Sequence, residues 1–292
     1  MDDTTHEYEV KGELSAPQPP KKKKKKWYNI VIDSVLIVTF LLVVAVSTNV
    51  IYLSVAYNMP FFVNGMSMYP TLNKDATDAN GNLLSWSRSS NRPGDFVDYG
   101  YAKGEDKDNW RASLKRFDIV ITYYPENYET MASGEYRRDS KGNLILKSNA
   151  KSKIKRLIGL PGETIKFDAV DYDSELFNRA WGRTTINYGK PDAWVLKPLY
   201  TMADFPDYQG MSYTYPKTSA PEVTLKENEY YVMGDNRGHS SDSRDTRVGA
   251  ILGEMIVGKA YLVTGRRQLD ENLSPKDSWD YIFTPWNYRR ID

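Results

Sequence analysis

Ser67 stands in the run Asn64-Gly65-Met66-Ser67-Met68-Tyr69-Pro70-Thr71-Leu72, a short extended stretch preceded by glycine and closed by proline. A serine hydroxyl is a weak nucleophile and works only with a base in hydrogen-bond reach. The chain has no cysteine, and its only histidines are His6 and His239. His6 lies in a charged N-terminal tail, on the far side of a long apolar segment from Ser67. If Ser67 does chemistry, its base is therefore His239, a carboxylate or a lysine. An ordinary strand ending at a proline-initiated turn would carry the same serine, so other segments have to decide.

Two of them bear on the question. Lys155 lies in Ile154-Lys155-Arg156-Leu157-Ile158-Gly159-Leu160-Pro161-Gly162-Glu163. Leu160-Pro161-Gly162-Glu163 has the form of a type II turn, with Pro at the second position and Gly supplying positive φ at the third. The segment before it reads as a strand rich in buried positions. A lysine desolvated there loses preference for its charged form, which is how an amine becomes a general base near neutral pH. A lysine on an edge strand with its amine in water would do nothing of the kind. The second segment is Gly234-Asp235-Asn236-Arg237-Gly238-His239-Ser240-Ser241-Asp242-Ser243-Arg244. It follows the apolar Tyr230-Tyr231-Val232-Met233 and is dense in turn formers and paired charges. Such a loop can hold itself rigid through Asx turns and Asp–Arg pairs.

These groups need elements to position them, and the 292 residues allow one large domain or two small ones. Formal net charge is +1, which gives a nucleic-acid partner no general electrostatic support. The absence of cysteine excludes disulfides and thiol chemistry. Residues 1–20 are polar and without apolar periodicity, the pattern of a disordered tail. Residues 21–26 are six consecutive lysines, followed by Trp27-Tyr28. Residues 30–56 are dominated by Val, Ile, Leu and Phe. As a helix they would run about 40 Å, more than a hydrocarbon core of roughly 30 Å requires. Asp33 falls near the headgroups, whereas Asn49 lies deeper and is the awkward residue. The lysines set the N-terminus in the cytoplasm. Trp27 and Tyr28 on one side, with Tyr57, Phe61 and Phe62 on the other, have the composition of interfacial belts. Ala45-Val46-Ser47 would suit a cleavable signal, but the apolar stretch runs on well past it.

The organisation expected is thus a cytoplasmic tail over 1–26, a transmembrane helix over 27–58, and an extracytoplasmic domain over 59–292 in the plasma membrane's outer compartment. About ten residues separate the span from Ser67, which keeps the hydroxyl close to the membrane surface. Beyond residue 59 short β-rich runs recur at 117–124, 154–160, 229–233 and 255–263, punctuated by Gly, Pro, Asn and Asp. They predict a mostly β domain. Polar insertions are expected near 73–92 and 168–221, the second long enough for a small subdomain or an extended ribbon.

Ser67 through Leu72, Arg116-Phe117-Asp118-Ile119-Val120, Lys155 through Glu163, and Gly234 through Arg244 together resemble the four catalytic-domain boxes of bacterial type I signal peptidases, in the right order and after a membrane anchor. The resemblance implies a coiled antiparallel β-sheet catalytic domain and a membrane-bound serine endopeptidase that cuts signal peptides from exported preproteins after small residues, through an acyl-enzyme. It implies Ser67 as nucleophile and Lys155 as general base, with Ser240 orienting the lysine amine. Asp242 and Arg244 would pair to stiffen the last box, supported by Asp235 and Arg237. Phe61, Val63, Met68, Leu72 and Ile154 would line the substrate pocket. No cofactor and no metal are implied; the partners are preprotein signal peptides, membrane lipid and the secretion translocon, and not nucleic acid.

Two positions depart from the pattern. Some members carry a Ser or Thr two residues before the nucleophile, whose hydroxyl serves the oxyanion; this chain has Gly65 there, as the Gram-positive-type enzymes do, so the resemblance implies the Ser67 N–H as one donor and leaves the second open. Phe117 replaces the glycine more usual after the arginine of the second box. Two other readings compete with this one. A self-cleaving Ser–Lys repressor would need a DNA-binding helix-turn-helix, where this chain has a lysine run and a span. A non-catalytic envelope-binding β module would not need both Ser67 and Lys155.

Overall fold

The computed structural model describes residues 26–56, 61–74, 94–100, 110–169, 180–201, 204, 218–269, 275–278 and 289–291. The expected tail with His6, the interfacial Tyr57, nearly all of the 73–92 insertion and the middle of the 168–221 insertion lie outside these residues. Helix α1 spans Trp27–Ala56, starting earlier than the apolar run because Trp27 and Tyr28 join its first turn. Its most apolar 18-residue window within Trp27–Asn49 has a mean hydropathy of 2.7, and its apolar side chains stand exposed all round. A helix apolar on every face and this long suits hydrocarbon rather than water. Asn49 is accommodated locally, its Nδ2 donating to the Ala45 carbonyl at 3.4 Å.

The remainder forms a unit of its own. Its main antiparallel sheet runs β1 (Phe61–Phe62), β2 (Gly94–Gly100), β11 (Ile256–Leu269), β3 (Ile119–Tyr123), β4 (Ser152–Gly159), β9 (Glu229–Met233), β10 (Ile251–Leu252), with β12 (Pro275–Ser278) and β13 (Arg289–Arg290) also on β11. A second antiparallel sheet has the order β7 (Trp194–Val195), β6 (Arg183–Ile186), β5 (Thr164–Asp168), β8 (Ala220–Thr224). This accessory sheet is built from the expected 168–221 insertion together with β5. The fold is the mostly β architecture expected, with every strand pairing antiparallel.

Alternation along the central strands divides the core. Ile119 and Ile121 of β3 and Ile154 of β4 pack with Val63, Met68, Leu72, Val97 and Ala260. Val120 and Leu157 pack instead with Tyr124, Tyr128, Val232 and Ile256. A third cluster joins the two sheets: Ile158 of β4 and Tyr231 and Met233 of β9 pack with Ile165, Phe167, Trp181, Ile186 and Leu196. The turn after β4 has the expected form, with Gly162 at φ 83° and the Glu163 N–H returning to the Leu160 carbonyl at 3.2 Å. β2 was not foreseen, nor was the hairpin whose bridges pair Tyr128 with Leu146 and Arg138 with Leu144.

Gly159 sits where the sheets meet. A Cβ there would come within 2.8 Å of Ile165 and Leu225 side-chain carbons and 2.9 Å of Tyr231 Cβ. Gly159→Ala should therefore overpack the shared cluster and destabilise the domain by about 1–3 kcal/mol. Denaturant titration of the full chain in detergent, followed by tryptophan fluorescence, reads the shift; an unchanged midpoint would refute the close packing.

Candidate active site

The nucleophile turn is pinned by its own sequence. Asn73, at φ 63°, donates from Nδ2 to the carbonyls of Val63 (3.0 Å) and Gly65 (2.7 Å). It also exchanges hydrogen bonds with Asp95 of β2: the Asn73 N–H reaches Asp95 Oδ2 at 2.8 Å and the Asp95 N–H reaches Asn73 Oδ1 at 2.7 Å. The turn is thereby tied to a neighbouring strand at both ends, with Gly65 at φ 105° where side chains are disfavoured. Neither Asn73 nor Asp95 was singled out from sequence.

Lys155 Nζ lies 2.8 Å from Ser67 Oγ and donates to the Ile154 carbonyl at 2.9 Å. Lys155 is only 3 % exposed. Burial draws its pKa down to about 8; the Asp242 carboxylate partly offsets this, while Lys153 adds to the lowering. Of the bases left open by composition, a lysine is thus in hydrogen-bond reach of Ser67. His239 sits half-buried at the end of the short 3-10 turn Arg237–His239, its own pKa lowered by burial.

The loop from Gly234 to Arg244 closes over this pair. The Asn236 N–H holds the Ser67 carbonyl at 3.1 Å. Gly234 presses so closely on the Ser67 carbonyl and on Ser240 Oγ that a Cβ there would overlap both. This requirement for glycine is visible only in three dimensions. Asp242 and Arg244 pair as expected, Arg244 Nε to Oδ1 and Nη2 to Oδ2, each at 2.8 Å, and the Gly234 N–H adds a bond to Oδ2 at 2.9 Å. Burial alone would raise the Asp242 pKa, but the Arg244 charge and hydrogen bonds outweigh it and hold the carboxyl ionised.

Two expectations need correction. Ser240 makes no hydrogen bond to the lysine amine: its hydroxyl is buried beside Gly234, and the amine takes the Ile154 carbonyl instead. Asp235 and Arg237 anchor the last box through different partners. Asp235 is fully buried and accepts two bonds at 2.8 Å from Arg156, the residue after Lys155. Arg237 lies on the Trp181 ring at 3.6 Å and donates to the Gly234 and Trp181 carbonyls, because the accessory sheet supplies the better surface for it. Finally, Val63, Met68, Leu72 and Ile154 do come together, with the half-buried Phe61 against them, but as packed core with 5 % or less exposed. They can floor a shallow depression; they do not wall a deep one.

Arg156 is the main residue missed. It is 1 % exposed, and Nη1 donates at 2.8 Å to the carbonyl of Phe117. Phe117 has φ 74°, and its N–H bonds the Leu157 carbonyl at 2.8 Å. A left-handed backbone at this position accounts for the glycine that Phe117 replaces. The signal available was an arginine directly before the apolar Leu157-Ile158, on a strand expected to be buried, which demands a buried anion.

A family model described as signal peptidase, peptidase S26, matches residues 32–264. Signal peptidase I T of Bacillus subtilis strain 168 is 30% identical over 204 residues, 70% of this chain and 72% of that protein. Signal peptidase I P of Bacillus subtilis subsp. natto is 30% identical over 136 residues, 45% of this chain and 60% of that protein. Among solved structures, a signal peptidase I from Enterococcus faecalis aligns with a TM-score of 0.29 and 24% identity, over 50% of this chain and 95% of that one.

The lowered lysine pKa has a thermodynamic consequence. Between about 8 and the ordinary 10.5 the unfolded chain binds a proton that the folded chain does not, so stability rises with pH across that window. Below about 8 the cost of burying the charge is felt in full. Lys155→Met should therefore gain most over the parent at pH 7, by about 3 kcal/mol, and lose that advantage near pH 10.5. Paired denaturant titrations at the two pH values check this; a difference independent of pH would overturn it.

Proposed function

The chain belongs to the signal peptidase family, peptidase S26, and on that premise we propose that it is a membrane-anchored endopeptidase that removes signal peptides from exported preproteins through a Ser67–Lys155 dyad. The observation that carries the proposal is the 2.8 Å approach of a buried, weakly basic amine to the Ser67 hydroxyl. Neutral Lys155 takes the Ser67 proton as Oγ attacks the scissile carbonyl. The Ser67 N–H is one donor to the developing oxyanion. Protonated Lys155 then gives its proton to the leaving amine, and the same amine, neutral again, activates the water that hydrolyses the ester.

The restriction to small residues follows from the floor beneath the nucleophile. Core that is already close-packed offers no depth, so Ala at the −1 and −3 positions fits while a larger side chain finds no room. The peptide lies extended, so that alternate side chains face the floor. The lysine run and α1 set the topology: N-terminus in the cytoplasm, peptidase domain outside, the preprotein reaching it from the secretion translocon through membrane lipid.

Activity on a synthetic preprotein should rise with pH through about 8 and stay high in mildly alkaline buffer, since only the neutral amine accepts a proton. Lys155→Ala and Lys155→Arg should remove essentially all turnover, the arginine because it does not deprotonate. His239→Ala should retain most of it. A profile centred near 6.5, with His239→Ala dead and Lys155→Ala active, would put the base on the histidine. Mass spectrometry of the products locates the cut; replacing Ala at −1 by Leu or Phe should nearly abolish it, and efficient cutting after Phe would refute the shallow floor.

A further inference from the structure

Tyr200 lies in none of the four motifs. Leu196, immediately after β7, is buried in the cluster shared by the two sheets, and Lys197-Pro198-Leu199 then carry the chain to Tyr200. There the phenol meets the hydroxyl of Thr71, within the nucleophile turn. Thr71 Oγ1 also donates to Asp235 Oδ2 at 2.5 Å and accepts from Arg156 Nη2 at 3.1 Å. A threonine hydroxyl has one proton and two lone pairs. With the proton committed to Asp235 and one lone pair to Arg156, Tyr200 must donate to the other. The Thr71 hydroxyl is then saturated.

The position of that junction gives it meaning. Thr71 belongs to the turn that carries Ser67, and its carbonyl is held separately by Arg289 Nη1 at 2.8 Å. Arg156 follows Lys155 on β4. Asp235 lies between Gly234 and Asn236, the two residues that press on or bond the Ser67 carbonyl. One hydroxyl therefore joins the three segments bearing the nucleophile, the base and the closing loop.

We propose that Tyr200 is a positioning residue for this site: its hydroxyl locks the Thr71 side chain and so registers the Ser67 turn against the Lys155 strand, which makes the accessory sheet part of the catalytic apparatus. The proposal rests on the Ser67–Lys155 reading above. Burial, and then the Asp235 charge, raise the Tyr200 pKa, so the phenol keeps its proton to donate.

The test uses the full chain in detergent with a preprotein substrate, under single turnover with enzyme in excess so that slow variants stay measurable. Tyr200→Phe keeps the ring and loses the donor. Its cleavage rate constant should fall about tenfold, with half-saturation within about twofold and the pH midpoint still near that of the parent, because small misplacements act on the reacting step. In a Thr71→Val background Tyr200→Phe should cost clearly less than in the parent, since the shared bond is already absent and only the contact of the phenol with Arg156 is left to lose. A parental rate, a change in half-saturation alone, or an equal fold loss in both backgrounds would overturn the proposal. So would a loss that vanishes at lower temperature in step with recovered folding, which marks a merely structural role. A parent that does not cut, or a Lys155→Ala that does, would instead sink the underlying dyad and leaves a distinct signature.

Discussion

An amine that titrates near 8 requires a place where water cannot reach it and where nearby anions are already engaged. Lys155 has neighbours of both signs, and an uncommitted carboxylate beside it would hold its proton. Asp242 is committed to Arg244 and the Gly234 N–H, and Asp235 to Arg156 and Thr71. Each acid is thus paired with an arginine that neutralises it locally. Buried ion pairs of this kind add little net stability, since desolvation offsets attraction, but breaking one strands a charge. Here the arginines weaken, without abolishing, the pull of Asp242 and Asp235 on the lysine proton. The rest of the site follows: the closing loop must hold Asp242 and Asp235, Gly234 must lack a side chain for the loop to approach, and the nucleophile turn must present Thr71 to the same network.

Much of this was legible in the sequence for a physical reason. Ser67, Lys155, Asp242 and Arg244 sit in segments whose local chemistry is unusual: a serine between Gly and Pro, a lysine in an apolar strand, a turn-rich loop dense in charge. The strand at 229–233 and the turn at Leu160–Glu163 declared themselves by composition and turn chemistry. What escaped is what depends on partners distant in the chain. Asp95 matters because β2 lies beside the nucleophile turn, Arg156 because Asp235 arrives from the far end of the domain, and Tyr200 because an insertion folds back. That Arg237 would anchor the loop by lying on the ring of Trp181 was likewise invisible, since Trp181 is remote in the chain. β2 itself, with Asp95 and Asp98 in its short run, has no clean alternation to mark it as a strand next to β11.

The pocket residues show the same limit. Being apolar and near Ser67 does not say which face of each side chain meets solvent. Met68 and Leu72 have none of their surface left for it, so the selectivity proposed above would come from the absence of depth rather than from complementary walls.

The cluster shared by the two sheets has a bearing on how this domain comes apart. Ile158, Tyr231 and Met233 belong to the strands that carry or border the base, yet they pack on Phe167, Trp181 and Leu196 of the accessory sheet. Neither sheet can open without stripping apolar surface from the other. Local fluctuations that free the accessory strands while leaving β4 and β9 protected are therefore suppressed, and amide protons in both sheets should exchange by one common opening. The accessory sheet cannot be excised as a module, because its residues complete the core beneath the strand that carries Lys155.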